Sequence, residues 1–159
     1  MKHSFKTGLG FGVTSGIITT LGLVVGLHAG TYSRLAILGG ILTIAISDSF
    51  SDSLGIHIAK EFEDRASTRD VWESTIITFT AKFLMALIFA IPVFLFSLDF
   101  AIKFDIALGF FLLGLFSYYV AKMKQVKPFP VICEHIFIAI VVIFITQFTG
   151  DWVRQLFMI

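Results

Sequence analysis

The chain is poor in everything that builds a soluble, disulfide-bonded or nucleic-acid-binding domain. One cysteine in 159 residues excludes an internal disulfide and any Cys-x-x-Cys metal site. Only 14% of residues are charged, well below the roughly 25% of soluble domains. The 12 basic residues are scattered, with no basic stripe and interleaved aromatics, so no nucleic-acid partner is expected. No GxGxxG, Walker or HExxH pattern occurs, and no repeat or low-complexity segment. No cleavable signal is expected, because the first apolar run is glycine-rich and continues into ordinary spans. What is present is hydrocarbon: 57% hydrophobic residues, 19 phenylalanines and a mean hydropathy of +0.92. An all-α, polytopic integral membrane protein of one domain follows.

A span takes about 20 predominantly apolar residues. That rule predicts five helices, at roughly 7–27, 33–54 (extending to 64), 74–98, 101–120 and 130–149. Lys2, Lys6, Lys60, Arg65, Arg69, Lys122, Lys124 and Lys127 flank one side; Arg34, Lys103 and Arg154 flank the other. The positive-inside rule then places the N-terminus in the cytoplasm and the C-terminus outside.

The anomaly in this chain is Ile46–Gly55, where Asp48 and Asp52 interrupt the second span. Four residues apart, they share a helix face. One ionised Asp at a bilayer centre costs roughly 2.5–3.5 kcal/mol on insertion scales, so two predict a cation, a proton or a watery cavity. Continued to residue 64, the helix would carry Glu63 within about 60° of Asp48 and make an acidic stripe. Ser47 and Ser51 lie beside it. Lys82 in span three either snorkels to the headgroups or serves as a tethered counter-cation for that stripe.

In span one, Gly8, Gly12 and Gly16 and then Gly22 and Gly26 predict close packing on partner helices. Ser15, Thr19 and Thr20 either line a transport path or bond back to the preceding turn. Pro92 is expected to kink span three. Span four reads as a packing helix, with Gly109 and Gly114 and no chemistry. In span five, Glu134 is either a helix-start charge or a ligand from another helix, and neighbouring Cys133 and His135 cannot face the same ion with it. His57 points away from the acidic stripe, as an interfacial or capping residue.

The run Gly16-Ile17-Ile18-Thr19-Thr20-Leu21-Gly22-Leu23-Val24-Val25-Gly26-Leu27 resembles the first-helix signature of the vacuolar iron transporter family. The small, Ser-rich second helix is similar too, with Asp48 at the family's methionine and Asp52 at its glutamate; Ser15 stands where the family usually has Asp. The resemblance covers about residues 12–63 and implies a five-span protomer of a homodimer. It further implies export of Fe²⁺ or Mn²⁺ from the cytosol in exchange for protons, along a path at the dimer interface. This chain would be a short form without the long cytoplasmic metal-binding segment.

The expectation is therefore a divalent-cation transporter in a prokaryotic cell membrane, not an enzyme, with no cofactor besides the transported ion. Its metal ligands would be Asp48, Asp52, Ser51, Glu63 and Glu134, and its path Ser15, Thr19, Thr20, Ser47 and Lys82. Two second helices about a two-fold axis would offer four carboxylates, which cannot all be ionised in an empty apolar cavity. Some would hold protons until a cation displaced them. The alternatives are a membrane scaffold glued by polar side chains and a metal-dependent enzyme acting at the membrane surface. The enzyme reading lacks a basic cluster and a nucleophile–base pair.

Overall fold

The computed structural model describes residues 3–64 and 66–157; Lys2 and Arg65, both used in the charge count, lie outside them. Five helices follow in order: α1 (His3–Thr31), α2 (Arg34–Glu61), α3 (Thr68–Leu95), α4 (Leu98–Met123) and α5 (Pro128–Phe157). Each is long and apolar enough to cross a membrane, and the described residues contain no strand.

The helix ends follow local rules. Tyr32 turns the chain with a left-handed φ of 49°, and Ser33 caps α2 by accepting from the Ala36 amide. Ser67 and Asp70 form a capping box that starts α3 at Thr68, well before residue 74. A hydrophobicity window misses this because Arg69, Asp70 and Glu73 read as loop. At the other boundary α2 stops at Glu61, short of residue 64, with Phe62 as its C-cap. Pro92 lies inside α3, which continues to Leu95.

Small residues decide the packing. A Cβ on Gly8 would meet the Ser74 carbonyl at 2.5 Å, and one on Gly12 the Thr78 carbonyl at 2.7 Å. On Gly16 it would meet Lys82 Cα at 3.2 Å, so this stripe seats α1 directly on the α3 backbone. A second stripe, Gly22, Gly26 and Gly30, faces Val142, Thr146 and Gly150 of α5. Gly40 of α2 receives Leu23 and Leu27, and Gly109 of α4 receives Leu21. Helix α1 is thus central, touching all four others. Gly114, in contrast, faces open space.

Two apolar clusters fill the interior. One gathers Val24, Val25, Ile37, Ile41, Val93, Ala101 and Ile102; the other gathers Val13, Ile17, Leu21, Phe89, Leu113 and Ala139. The outer faces of α2 and α5 remain apolar and exposed, with Leu42, Ile46, Phe50, Leu54, Phe137, Phe144 and Phe148.

Candidate ion site

The close approach of α1 to α3 brings Ser15 and Lys82 together, and α2 supplies the acids. Lys82 Nζ donates to Asp48 Oδ2 at 2.6 Å, to Asp52 Oδ2 and to Ser15 Oγ at 2.9 Å. Ser15 Oγ in turn donates to Asp52 Oδ2 at 2.6 Å. An ammonium has three N–H donors, and each has an acceptor here. The Lys82 side chain is 2% exposed, against 31% for Asp48 and 20% for Asp52. The cation is enclosed by protein, while the carboxylates keep an edge open.

Because α3 begins at Thr68, Lys82 lies near its middle instead of two turns from its start. A lysine about 20 Å from either helix end exceeds its own reach, so snorkelling gives way to the role of tethered counter-cation. Asp48 lies about 21 Å along α2, at the matching depth.

The other candidates lie elsewhere. Ser47 and Ser51 are exposed on α2, and Ser47 bonds back to the Thr43 carbonyl. Both line a groove of about 700 Å³ between α2 and α3, walled by Phe50, Leu54, Trp72 and Phe79. His57 sits in the same groove, its Nδ1 3.0 Å from Thr75 Oγ1 and its Nε2 3.4 Å from Glu61. Thr19 bonds back to the Ser15 carbonyl; Thr20 is fully buried and its hydroxyl has no partner among the described residues. Glu63, beyond the end of α2, pairs with Lys60 at 2.8 Å. Glu134 is exposed on α5, a helix that packs on α1 and α4. Neither joins Asp48 and Asp52. Its neighbour His135 meets Ser117 Oγ at 2.7 Å, and Cys133 is exposed.

Helix α4, expected only to pack, holds a buried ionisable side chain. Asp105 is fully buried, and neither carboxyl oxygen has a hydrogen-bond partner among the described residues. The signal was available: one ionisable residue inside an apolar span is a functional candidate by default. It was masked by its apolar neighbours.

No family model, curated protein or solved structure matches this chain.

Chemically, the cluster is a cation clamp filled by the protein's own ammonium. Fully ionised, Asp48, Asp52 and Lys82 sum to −1, and one added proton makes the set neutral. Asp48, Asp52 and Ser15 could equally hold a hard cation through oxygen once Lys82 withdrew. Among the described residues no three of His, Cys, Asp and Glu gather as a metal-binding group. The chain therefore offers two carboxylates and a hydroxyl here, an incomplete shell for a divalent ion.

A second polar group lies at the bundle end that holds the α1–α2 and α3–α4 connections. Tyr32 donates its hydroxyl to Asp99 at 2.6 Å, and His28 Nε2 lies 3.5 Å from the same carboxylate. The bond to Asp99 raises the Tyr32 pKa above its ordinary 10.0. At the opposite end, Lys60 is buried and engages Glu63 and His3, while Ser4 donates to Glu73.

Proposed function

We propose that this protein is an integral membrane transporter that exchanges a divalent metal cation for protons at Asp48, Asp52 and Lys82. The observation that carries the reading is Lys82: a buried lysine at mid-helix that pairs with two carboxylates at once. Ionisable groups held in a bilayer are costly, and those that occur there pair with one another and mark ion or proton pathways.

Charge counting gives the mechanism. The empty clamp is neutral with Lys82 as ammonium and one proton shared by Asp48 and Asp52. A divalent cation bound to both carboxylates is also neutral, provided the carboxyl proton and the lysine proton have left. Two protons released per divalent cation make the exchange electroneutral and leave Lys82 to reclaim the site after the ion departs. Oxygen ligands suit Mn²⁺, Mg²⁺ or Ca²⁺, and Fe²⁺ less selectively. The resemblance of α1 and α2 to the vacuolar iron transporters directs the first tests to Mn²⁺ and Fe²⁺.

A homodimer would complete the ligand shell. Gly39, Thr43, Ser47, Ser51, Gly55 and Ala59 recur every fourth residue along α2, and all are exposed. Such a face admits a second helix at close range. With the basic flanks inside, the N-terminus is cytoplasmic and export is the direction that the family resemblance suggests.

Purified protein in liposomes, loaded with a pH dye and offered Mn²⁺, Fe²⁺, Mg²⁺ and Ca²⁺ in turn, tests this. Wild type should take up at least one of the cations while moving protons the other way, and Asp48→Asn and Asp52→Asn should each abolish uptake. Undiminished uptake in both variants would sink the reading.

A further inference from the structure

Asp105 has no part in the clamp, yet among the described residues it is the acid that is fully buried with neither oxygen bonded. Its flanking residues on α4, Ile102 and Ile106, belong to the apolar cluster built with Val24, Val25, Val93 and Ile143. One turn further, Gly109 packs on Leu21. The side chain is fully buried, and both oxygens lack a hydrogen-bond partner among the described residues.

Charged groups on the surrounding helices are committed elsewhere. By helical register the nearest are His28 on α1, Lys82 on α3 and Asp151 on α5. His28 lies against Asp99, Lys82 is held in the clamp, and Asp151 pairs with Gln147 and Arg154. Arg34 of α2 donates to the Phe94 and Phe96 carbonyls, and Lys103 on α4 itself is exposed. Among the described residues, none of these cations bonds to Asp105.

Burying an unpaired carboxylate in apolar surroundings costs far more than burying the neutral acid, so the group takes a proton instead. Depth supplies the second part of the inference. Asp105 lies about 10 Å from the start of α4, whereas Asp48 lies about 21 Å from the same end of the bundle. Asp99, at the start of α4, and His28, one turn before the end of α1, lie nearer that end than Asp105 does. We infer that Asp105 is a separate proton-binding site, charged from the His28–Tyr32–Asp99 end and carrying one proton during the exchange cycle. The proton leaves Asp105 Oδ for water at that end and returns to the same oxygen; no other bond changes. The proton site stands on burial and isolation alone, and only its place in the cycle rests on the transport reading above.

Infrared difference spectroscopy on the full chain in lipid bilayers tests the site directly. In an Asp48→Asn/Asp52→Asn background, which removes the proton shared in the clamp, the protein should still show a carboxylic-acid C=O band that shifts in D₂O, disappears when Asp105→Asn is added and returns at a new frequency with Asp105→Glu. Absence of the band in that background, or its persistence after Asp105→Asn is added, overturns the proposal. In liposomes Asp105→Asn should slow proton-coupled cation uptake at least fivefold with KM unchanged, and Asp105→Glu should recover most of the rate. Wild-type rates in Asp105→Asn would remove Asp105 from the cycle. Should that background show the band and wild type move no cation, the transporter reading fails while the proton site remains. Asp105→Leu guards against a merely structural role: with no hydrogen bond to lose, it should fold and melt no lower than wild type, and a marked loss of stability counts against the proposal.

Discussion

Removing the Lys82 ammonium should damage the protein more than removing either carboxylate, and removing Asp52 with it should add nothing to the loss. In Lys82→Met, Asp48 and Asp52 face one another across a space filled by an apolar side chain. Deleting one partner of a buried ion pair costs about 3–5 kcal/mol, because the charge left behind has nothing to replace its lost hydration. Asp52→Asn is milder. Lys82 retains Asp48 at 2.6 Å and Ser15 at 2.9 Å, so what is lost is a hydrogen bond to a charged group, about 1.5–3 kcal/mol.

If the two effects were independent, the double variant would lose about 4.5–8 kcal/mol. The clamp geometry predicts instead that Lys82→Met/Asp52→Asn loses no more than Lys82→Met alone. The asparagine no longer presents a stranded charge, and Asp48 is 31% exposed and retains access to water. The coupling energy should then reach about 1.5 kcal/mol or more, within the range for residues in one salt-bridge network. Reversible unfolding in mixed micelles of mild detergent and SDS, followed by circular dichroism, measures all four corners of the cycle. Additivity within about 0.5 kcal/mol would refute the clamp as described.

The glycine stripes give a graded series. Gly12→Val should cost about 1–3 kcal/mol or prevent folding, because its Cβ falls 2.7 Å from the Thr78 carbonyl and 2.9 Å from Ala81 Cβ. Gly55→Ala, whose Cβ meets nothing within 4 Å, should leave monomer stability unchanged in the same assay. In Gly150→Ala the new methyl runs into the Gly26 carbonyl, so α5 should part from α1; accelerated proteolysis at the connection around Gln125 would report it. Tyr32 should ionise above the ordinary range in an ultraviolet absorbance titration, and Asp99→Asn should bring it back. Because the folded-state pKa is raised, the Tyr32–Asp99 contribution to stability is complete below pH 10.0 and fades as pH rises through the raised value.

Composition and spacing were enough for the five helices, since burying every backbone polar group in an apolar chain of this length leaves few other solutions. The four-residue spacing of Asp48 and Asp52 placed them on one face, and the Gly8–Gly12–Gly16 stripe announced a close helix neighbour. Which neighbour, and with what consequence, could not be read off. Lys82 was ambiguous because its depth depends on where α3 begins, and a two-residue capping box at Ser67 and Asp70 moves that start by more than a turn. Glu63 falls off the acidic stripe for the same kind of reason: α2 ends at Glu61, and a projection that assumes a continuing helix assigns the acid to the wrong partner. Asp105 is legible as an ionisable residue in an apolar span, but its lack of a hydrogen-bond partner emerges only when the bundle closes around it. A sequence states which residues can share a helix face. Only the packing of α1 against α3, and of α4 against both apolar clusters, determined which charges found each other and which one was left alone.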